Sequence, residues 1–213
     1  IFFAQQGTMG GVALADLITG KENFSGKLAD TWAKRYEDIP FAMEYSYLNG
    51  NVAEEYYKEG IYVGYRYFDS FGVEPRYPFG YGLSYTTFDY SDFAVKYDAA
   101  ADQYQVTVKI TNTGDVAGKE TVQIYAQSPY TQYDIDNGVE KASVQLCGFS
   151  KTAILEPGAS ETVMVLVDKR DLAAYDTYGA GTYILDAGDY YLTVAADSHN
   201  AVNNILAAKG YTV

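Results

Sequence analysis

Tyr104-Gln105-Val106-Thr107-Val108-Lys109-Ile110 alternates polar and apolar side chains with a period of two. Only an extended chain puts every second residue on one face, so this stretch is predicted to be a half-buried β-strand. Working outward, the alternation returns in Thr121-Val122-Gln123-Ile124-Tyr125 and in Glu161-Thr162-Val163-Met164-Val165-Leu166-Val167. Further strands are expected at Phe93–Tyr97, Val144–Phe149, Tyr183–Leu185 and Tyr190–Ala195. Turn signals separate them: Asn112-Thr113-Gly114-Asp115, Asn137-Gly138, Glu156-Pro157-Gly158 and Ala187-Gly188-Asp189. Short strands at this spacing over residues 88–198 describe an antiparallel β-sandwich of immunoglobulin or fibronectin-III type.

Upstream the character changes. Ile1-Phe2-Phe3-Ala4 suits a short buried strand, Gln5 to Gly11 a glycine turn, and Val12 to Ile18 a helix stopped at Gly20. One strand and one helix cannot bury their own apolar faces, so residues 1–35 read as the incomplete end of an α/β domain. The glycine spacing fits neither the dinucleotide fingerprint nor the P-loop, where Leu28 stands in place of Ser or Thr. Residues 36–87 are rich in Tyr and Gly without clear periodicity, and read as a long connecting loop packed by rings. Beyond the sandwich, residues 199–213 read as a tail or linker in which Ala201–Lys209 fits a short helix closed by Gly210. The fold class expected is mostly β: a sandwich preceded by a partial α/β segment and an aromatic-rich loop.

Composition limits the functions. The chain has 213 residues, is 48% hydrophobic and carries a net charge of −13. A basic surface is needed to displace counterions from nucleic acid, and the same sign repels anionic lipid, so neither partner is expected. One Cys and one His exclude a disulfide framework and any site needing paired imidazoles or thiolates. No apolar run approaches the roughly 18 residues of a membrane span. The aromatic content of 16% is unusual; it is mostly tyrosine, and twelve of the 23 tyrosines fall between Tyr36 and Tyr90. Such rings suit half-wet surfaces, either a domain interface or a sugar-binding rim.

Three stretches resemble the C-terminal region of family-3 glycoside hydrolases, the β-glucosidase group. They are Gly10-Gly11-x-Ala13-Leu14-Ala15-Asp16 through Ser25-Gly26-Lys27-Leu28, Tyr57-Lys58-Glu59-Gly60-Ile61-Tyr62-Val63-Gly64-Tyr65-Arg66-Tyr67-Phe68-Asp69, and Tyr77-Pro78-Phe79-Gly80-Tyr81-Gly82-Leu83-Ser84-Tyr85-Thr86-Thr87-Phe88. The sandwich is similar too, through Val106-x-Val108-x-Ile110-x-Asn112-Thr113-Gly114 with Ala117 to Glu120, Leu146-x-Gly148-Phe149 and Leu155-x-Pro157-Gly158. The resemblance implies a three-part retaining enzyme with a TIM-type barrel bearing an aspartate nucleophile and an α/β sandwich domain bearing the acid/base glutamate. Retention requires two carboxyl groups about 5–5.5 Å apart. Neither maps onto this sequence, so no catalytic residue is expected in the chain. The partners implied are the barrel and the remainder of the α/β domain, with an oligosaccharide or β-glucoside as substrate and no metal or organic cofactor. The opening Ile-Phe-Phe, without Met, is expected to belong to a longer polypeptide, with the barrel before or after this segment. The alternative is a free-standing carbohydrate-binding or adhesion module.

Within the second motif, Glu59, Tyr62, Tyr65, Arg66, Tyr67 and Phe68 are the candidates for a substrate rim. Glu59 suits an ion pair with Arg66, a rim contact, or proton transfer. The rings suit stacking on a pyranose or packing between domains. His199 is expected to be solvated, and Cys147 to be a small buried hydrophobe. Asp134-Ile135-Asp136-Asn137-Gly138 reads as a turn, because a calcium loop would need Glu where Gln145 stands. Asn23-Phe24-Ser25 is a formal glycosylation sequon.

Overall fold

The computed structural model describes residues 1–212, residues 46 and 47 by backbone only. The alternating stretches form strands β1 (Phe88–Asp98), β2 (Gln103–Asn112), β3 (Thr121–Gln127), β4 (Gln145–Lys151) and β5 (Ser160–Asp168), followed by β6 (Ala174–Asp176), β7 (Thr182–Ile184) and β8 (Tyr191–Ala195). One sheet has the order β1-β2-β5 and the other β4-β3-β8, both antiparallel, and β6 pairs with β7 as a small hairpin. Every strand anticipated within residues 88–198 is present; β6 was not foreseen, being three residues long without alternation.

Val106, Val108 and Ile110 of β2 face Val163, Val165 and Val167 of β5 and Val122 and Ile124 of β3 across the sandwich core. Each fully buried aliphatic side chain contributes about 1.5–3 kcal/mol. Strand β3 departs from simple alternation, because residues Val122 to Ala126 are all buried. Its second face, bearing Gln123 and Tyr125, is covered by structure outside the sandwich.

Part of that cover is helix. Among the α-helices, α1 runs over Gly10–Ile18, α2 over Tyr65–Phe71, α3 over Gln132–Asn137 and α4 over Ser198–Ala208. Helix α2 corrects the reading of residues 36–87 as lacking helix. It has seven residues, too few for a period to register, and it closes at Gly72 in the left-handed conformation (φ 67°). Helix α3 replaces the turn expected at Asp134–Gly138, with Thr131 as N-cap and Gly138 as C-cap. Helix α4 is the short helix expected at Ala201–Lys209 within the tail or linker of residues 199–213, beginning three residues earlier. It starts at Ser198, capped by Asp197, and Ala201 and Ile205 join Tyr125, Val144 and Ala195 in a second core.

The first nine residues form no strand, correcting the expectation at Ile1–Ala4. A strand needs a neighbour to pair with, and among the described residues no strand pairs with it. Helix α1 buries only Gly10, and Ile1, Phe2, Met9, Val12 and Ile18 are exposed. The incomplete α/β segment is nevertheless tied to the sandwich. Asn23 donates from its amide to the Ala117 carbonyl (3.0 Å) and accepts from Ser84 and from the Tyr85 N–H. Asn23 thereby has a structural role in this fold, and a glycan on its Nδ2 would crowd the bond to Ala117. Lys27 Nζ stands 2.8 Å from Glu120 Oε1, an ion pair with both side chains nearly buried.

Candidate functional site

Ile61 to Phe71 lie against one end of the β4-β3-β8 sheet. The Ile61 N–H donates to the Glu140 carboxylate (3.2 Å) and the Tyr62 hydroxyl to the Lys141 carbonyl (3.3 Å). Tyr65 sits between Phe79 (ring centroids 4.8 Å apart) and Tyr125 (6.4 Å), and its hydroxyl accepts the Leu146 N–H at 3.0 Å. Tyr67 packs on Phe71 (5.2 Å) and edge-on to Phe68 (5.7 Å). Phe68 is buried, and the Ser70 hydroxyl accepts the Ser143 N–H. Four of the six rim candidates are thus aromatic residues whose rings the structure engages with other parts of the same chain.

The two charged candidates do not meet. Among the described residues no ion pair joins Glu59 to Arg66, which overturns the pairing expected between them. Glu59 is half-buried and its backbone carbonyl accepts the Tyr62 N–H (3.0 Å). Arg66 is half-buried on α2, and its Nε lies buried with no acceptor.

At the junction of α2 and α4, Asp69 Oδ1 lies 3.1 Å from His199 Nδ1. His199 is therefore a partner of a buried carboxylate rather than merely solvated. Burial raises the Asp69 carboxyl above its ordinary range, against the opposing pull of Ser198 and His199. The Asp197 carboxylate, at the N-cap of α4, adds to the rise, and the imidazole sits against Asp69 as an anchor between the two helices.

A cleft of about 300 Å³ opens elsewhere in the connecting segment, lined by Glu44, Leu48, Asn49, Tyr56 and Lys58. Lys58 and Glu44 form an ion pair there, and the Tyr56 hydroxyl donates to Glu54. Sequence reading did not single out Glu44 or Asn49, because the fold brings them to Lys58 and Tyr56 and no local spacing signals it. Among the described residues no group of three or more His, Cys, Asp or Glu is placed to hold a metal ion. No helix is long and apolar enough to cross a membrane.

Two charge sites are structural. Lys141 donates to Asp134 (2.8 Å), to the Pro129 carbonyl (2.9 Å) and to Asp186, locking α3 to the sandwich. Burial alone would raise the Asp134 carboxyl, but Lys141 and the Thr131 bonds outweigh it and hold the group below its ordinary value. Cys147 packs against the main core, and burial, with Asp171 adding to it, pushes its thiol up to about 12.

Known proteins share this arrangement. Residues 1–65 match the glycosyl hydrolase family 3 C-terminal domain, and residues 120–198 match the fibronectin type III-like domain. The thermostable beta-glucosidase B of Acetivibrio thermocellus is 40% identical over 196 residues, which cover 90% of this chain and 24% of that protein. The exo-alpha-(1->6)-L-arabinopyranosidase of Bifidobacterium longum is 37% identical over 202 residues, covering 95% of this chain and 25% of the relative. The solved structure of beta-glucosidase 3B from Thermotoga neapolitana in complex with glycerol superposes with a TM-score of 0.80 at 42% identity, over 92% of this chain and 26% of that one. The chain corresponds to a C-terminal region of the family-3 glycoside hydrolases: the end of their C-terminal α/β domain together with the fibronectin-III-like domain. It spans about a quarter of the length of these relatives.

Proposed function

We propose that the chain is a non-catalytic portion of a retaining β-glycosidase of β-glucosidase type, which hydrolyses terminal non-reducing β-linked sugars when complete. Residues 1–35 close the α/β domain, residues 36–87 connect, and the sandwich of residues 88–198 buttresses the connecting segment beside the active-site mouth. The observation that carries this reading is the distribution of exposed apolar side chains. Ile1, Phe2, Met9, Val12 and Ile18, and further along the chain Phe41, Met43, Tyr45, Val52, Tyr56 and Tyr57, are all left open to water. So many large apolar side chains left open within residues 1–57 mark surface made to be covered. The cover proposed is the TIM-type barrel and the remainder of the α/β domain. A free-standing binding module has no use for such a face. The relatives are named for different sugars, which fits sugar choice being set outside this segment.

In this reading Glu59, Tyr62, Tyr65, Arg66, Tyr67 and Phe68 shape and support the rim and none of them transfers a proton. The isolated chain is expected to show no turnover of an aryl β-glucoside, and the longer polypeptide to show it. Turnover by the isolated chain that disappears on Glu59→Gln would overturn both the role given to Glu59 and the non-catalytic reading.

A further inference from the structure

We propose that the β6-β7 hairpin is a binding platform for a neutral carbohydrate chain. The platform goes beyond the reading above, and only the choice of a β-linked glucan as its ligand rests on that reading. Residues Tyr175 to Tyr183 carry three tyrosines left open to water: Tyr175 is 49% exposed, Tyr178 82% and Tyr183 70%. Tyr175 and Tyr183 are cross-strand partners and meet edge to face, ring centroids 5.2 Å apart. Tyr178 stands between the two strands in sequence and beside Gly138, the C-cap of α3, where a Cβ would lie 3.7 Å from its ring. The backbone that presents these rings is braced from within. Asp176 is fully buried, and its carboxylate accepts the Tyr133 hydroxyl (2.6 Å), the Gly179 N–H (2.8 Å) and the Ala180 N–H (2.6 Å). The Gly181 N–H donates to the Asp176 carbonyl (2.9 Å), and the Tyr175 hydroxyl to the Gly181 carbonyl (3.2 Å). A Cβ on Gly179 would run into Asp176 Oδ2 and the Tyr133 hydroxyl, both at 2.5 Å, so the turn closes tightly on that carboxylate.

A two-stranded hairpin is marginal by itself, so one tied to a buried carboxylate presents its side chains on a backbone already ordered. Contact then costs less entropy, which favours a binding role for rings that would otherwise expose apolar surface to no benefit. Side-chain chemistry selects the ligand. The exposed positions of residues 175–183 are Tyr, Thr, Gly and Ala, and the one charged residue, Asp176, is buried. No Leu, Ile, Val or Met stands among them to fill a protein seam. In a chain that is 20% charged, a surface so free of charge cannot recognise an ion. Tyrosine offers a rigid ring with a hydroxyl at its tip, and suits a partner that is itself half apolar and half hydroxylated. A pyranose has that character: one C–H face for a ring, and hydroxyls around its edge. The exposed Thr177 and Thr182 add two more hydroxyls for it. The net charge of −13 repels anionic polysaccharides, which leaves a neutral one.

The test uses the full-length polypeptide, run by native electrophoresis through gels cast with a soluble β-glucan and through gels without it. The polymer is expected to retard the polypeptide. Tyr178→Ala combined with Tyr183→Ala should weaken that retardation about tenfold, the scale of a lost ring contact. Tyr178→Phe combined with Tyr183→Phe keeps both rings and should keep the retardation. The thermal midpoint should stay unmoved in both variants, because the side chains changed are exposed. No retardation of the unaltered polypeptide, undiminished retardation of the alanine variant, or an equal loss in the phenylalanine variant each overturns the inference. So does a change of oligomeric state in the alanine variant, which would mean that the rings cover a second copy of the chain. Hydrolysis of an aryl β-glucoside is followed in the same samples. Retardation through the rings in a polypeptide that hydrolyses nothing would sink the glycosidase reading and leave the platform standing, whereas hydrolysis without retardation would do the reverse.

Discussion

The Gln123 side chain, on the outer face of β3, donates to the Gly80 carbonyl (3.2 Å) and to the Ala196 carbonyl (2.7 Å), and accepts the Tyr125 hydroxyl (2.8 Å). One buried amide thereby joins the connecting segment, the end of β8 and the second core. Gly80 has a φ of 86°, and a Cβ there would run into the Gln123 amide oxygen and the Tyr125 hydroxyl. Gly80→Ala is therefore expected to cost more than about 1 kcal/mol from backbone strain alone. Each buried hydrogen bond displaced adds about 1 kcal/mol. Chemical denaturation would show a lower midpoint, and an unmoved midpoint would refute the account.

Tyr65 can be separated from a sugar-binding role by removing one atom. Tyr65→Phe keeps the ring between Phe79 and Tyr125 but leaves the Leu146 N–H without its acceptor. The expected loss is about 1–3 kcal/mol of stability, the cost of an unpaired buried donor. In the full-length polypeptide, KM for a β-glucoside should stay unchanged. A raised KM with stability intact would instead assign the hydroxyl to substrate.

The Lys141 cluster has a definite pH signature. The Asp134 carboxyl is held below its ordinary value in the fold, so its contribution is fully present above about pH 4 and is lost as pH falls through the folded value. The Lys141 ammonium is raised: burial lowers it, but Asp134 and Asp186 outweigh burial. Its contribution is complete below about pH 10 and is lost as pH rises through the folded value. Lys141→Met leaves two carboxylates without their cation and should cost about 3–5 kcal/mol near neutrality. Stability measured from pH 3 to 11 should lose its alkaline limb in the variant; a parallel profile would count against the cluster.

Cys147 offers a probe of local opening. With the thiol pushed up to about 12, the reactive thiolate is scarce at pH 8. Alkylation of the folded chain should run at least about a hundredfold slower than that of a free cysteine, whose thiol titrates near 8.5. Labelling at the rate of a small thiol would mean that β4 is not packed on the core as described.

The sandwich was legible because its signal is local. In β2 and β5 the buried valines alternate with solvated residues, and such a pattern survives in sequence without knowledge of the partner strand. The family motifs at Tyr57–Asp69 and Tyr77–Phe88 were legible as motifs, but not as structure. Helix α2 is too short to show a period, and its rings meet Leu146, Phe79 and Tyr125 through the fold. The Glu59–Arg66 pairing failed for the same reason: Glu59 lies in a turn and Arg66 on α2, and charge and proximity in sequence do not say where the fold carries each.

Alternation and turn chemistry, acting over a few residues at a time, were enough to determine that this chain builds a β-sandwich, and that its first thirty-odd residues cannot close a core of their own. Everything decided by contact between distant segments waited for the tertiary structure. It buried the second face of β3 under the Gly80 loop and α4, turned the expected tail into part of a core, and set Asn23 against Ala117 and Lys27 against Glu120. Periodicity reports which face of an element is apolar, while the identity of what covers that face depends on where the whole chain runs.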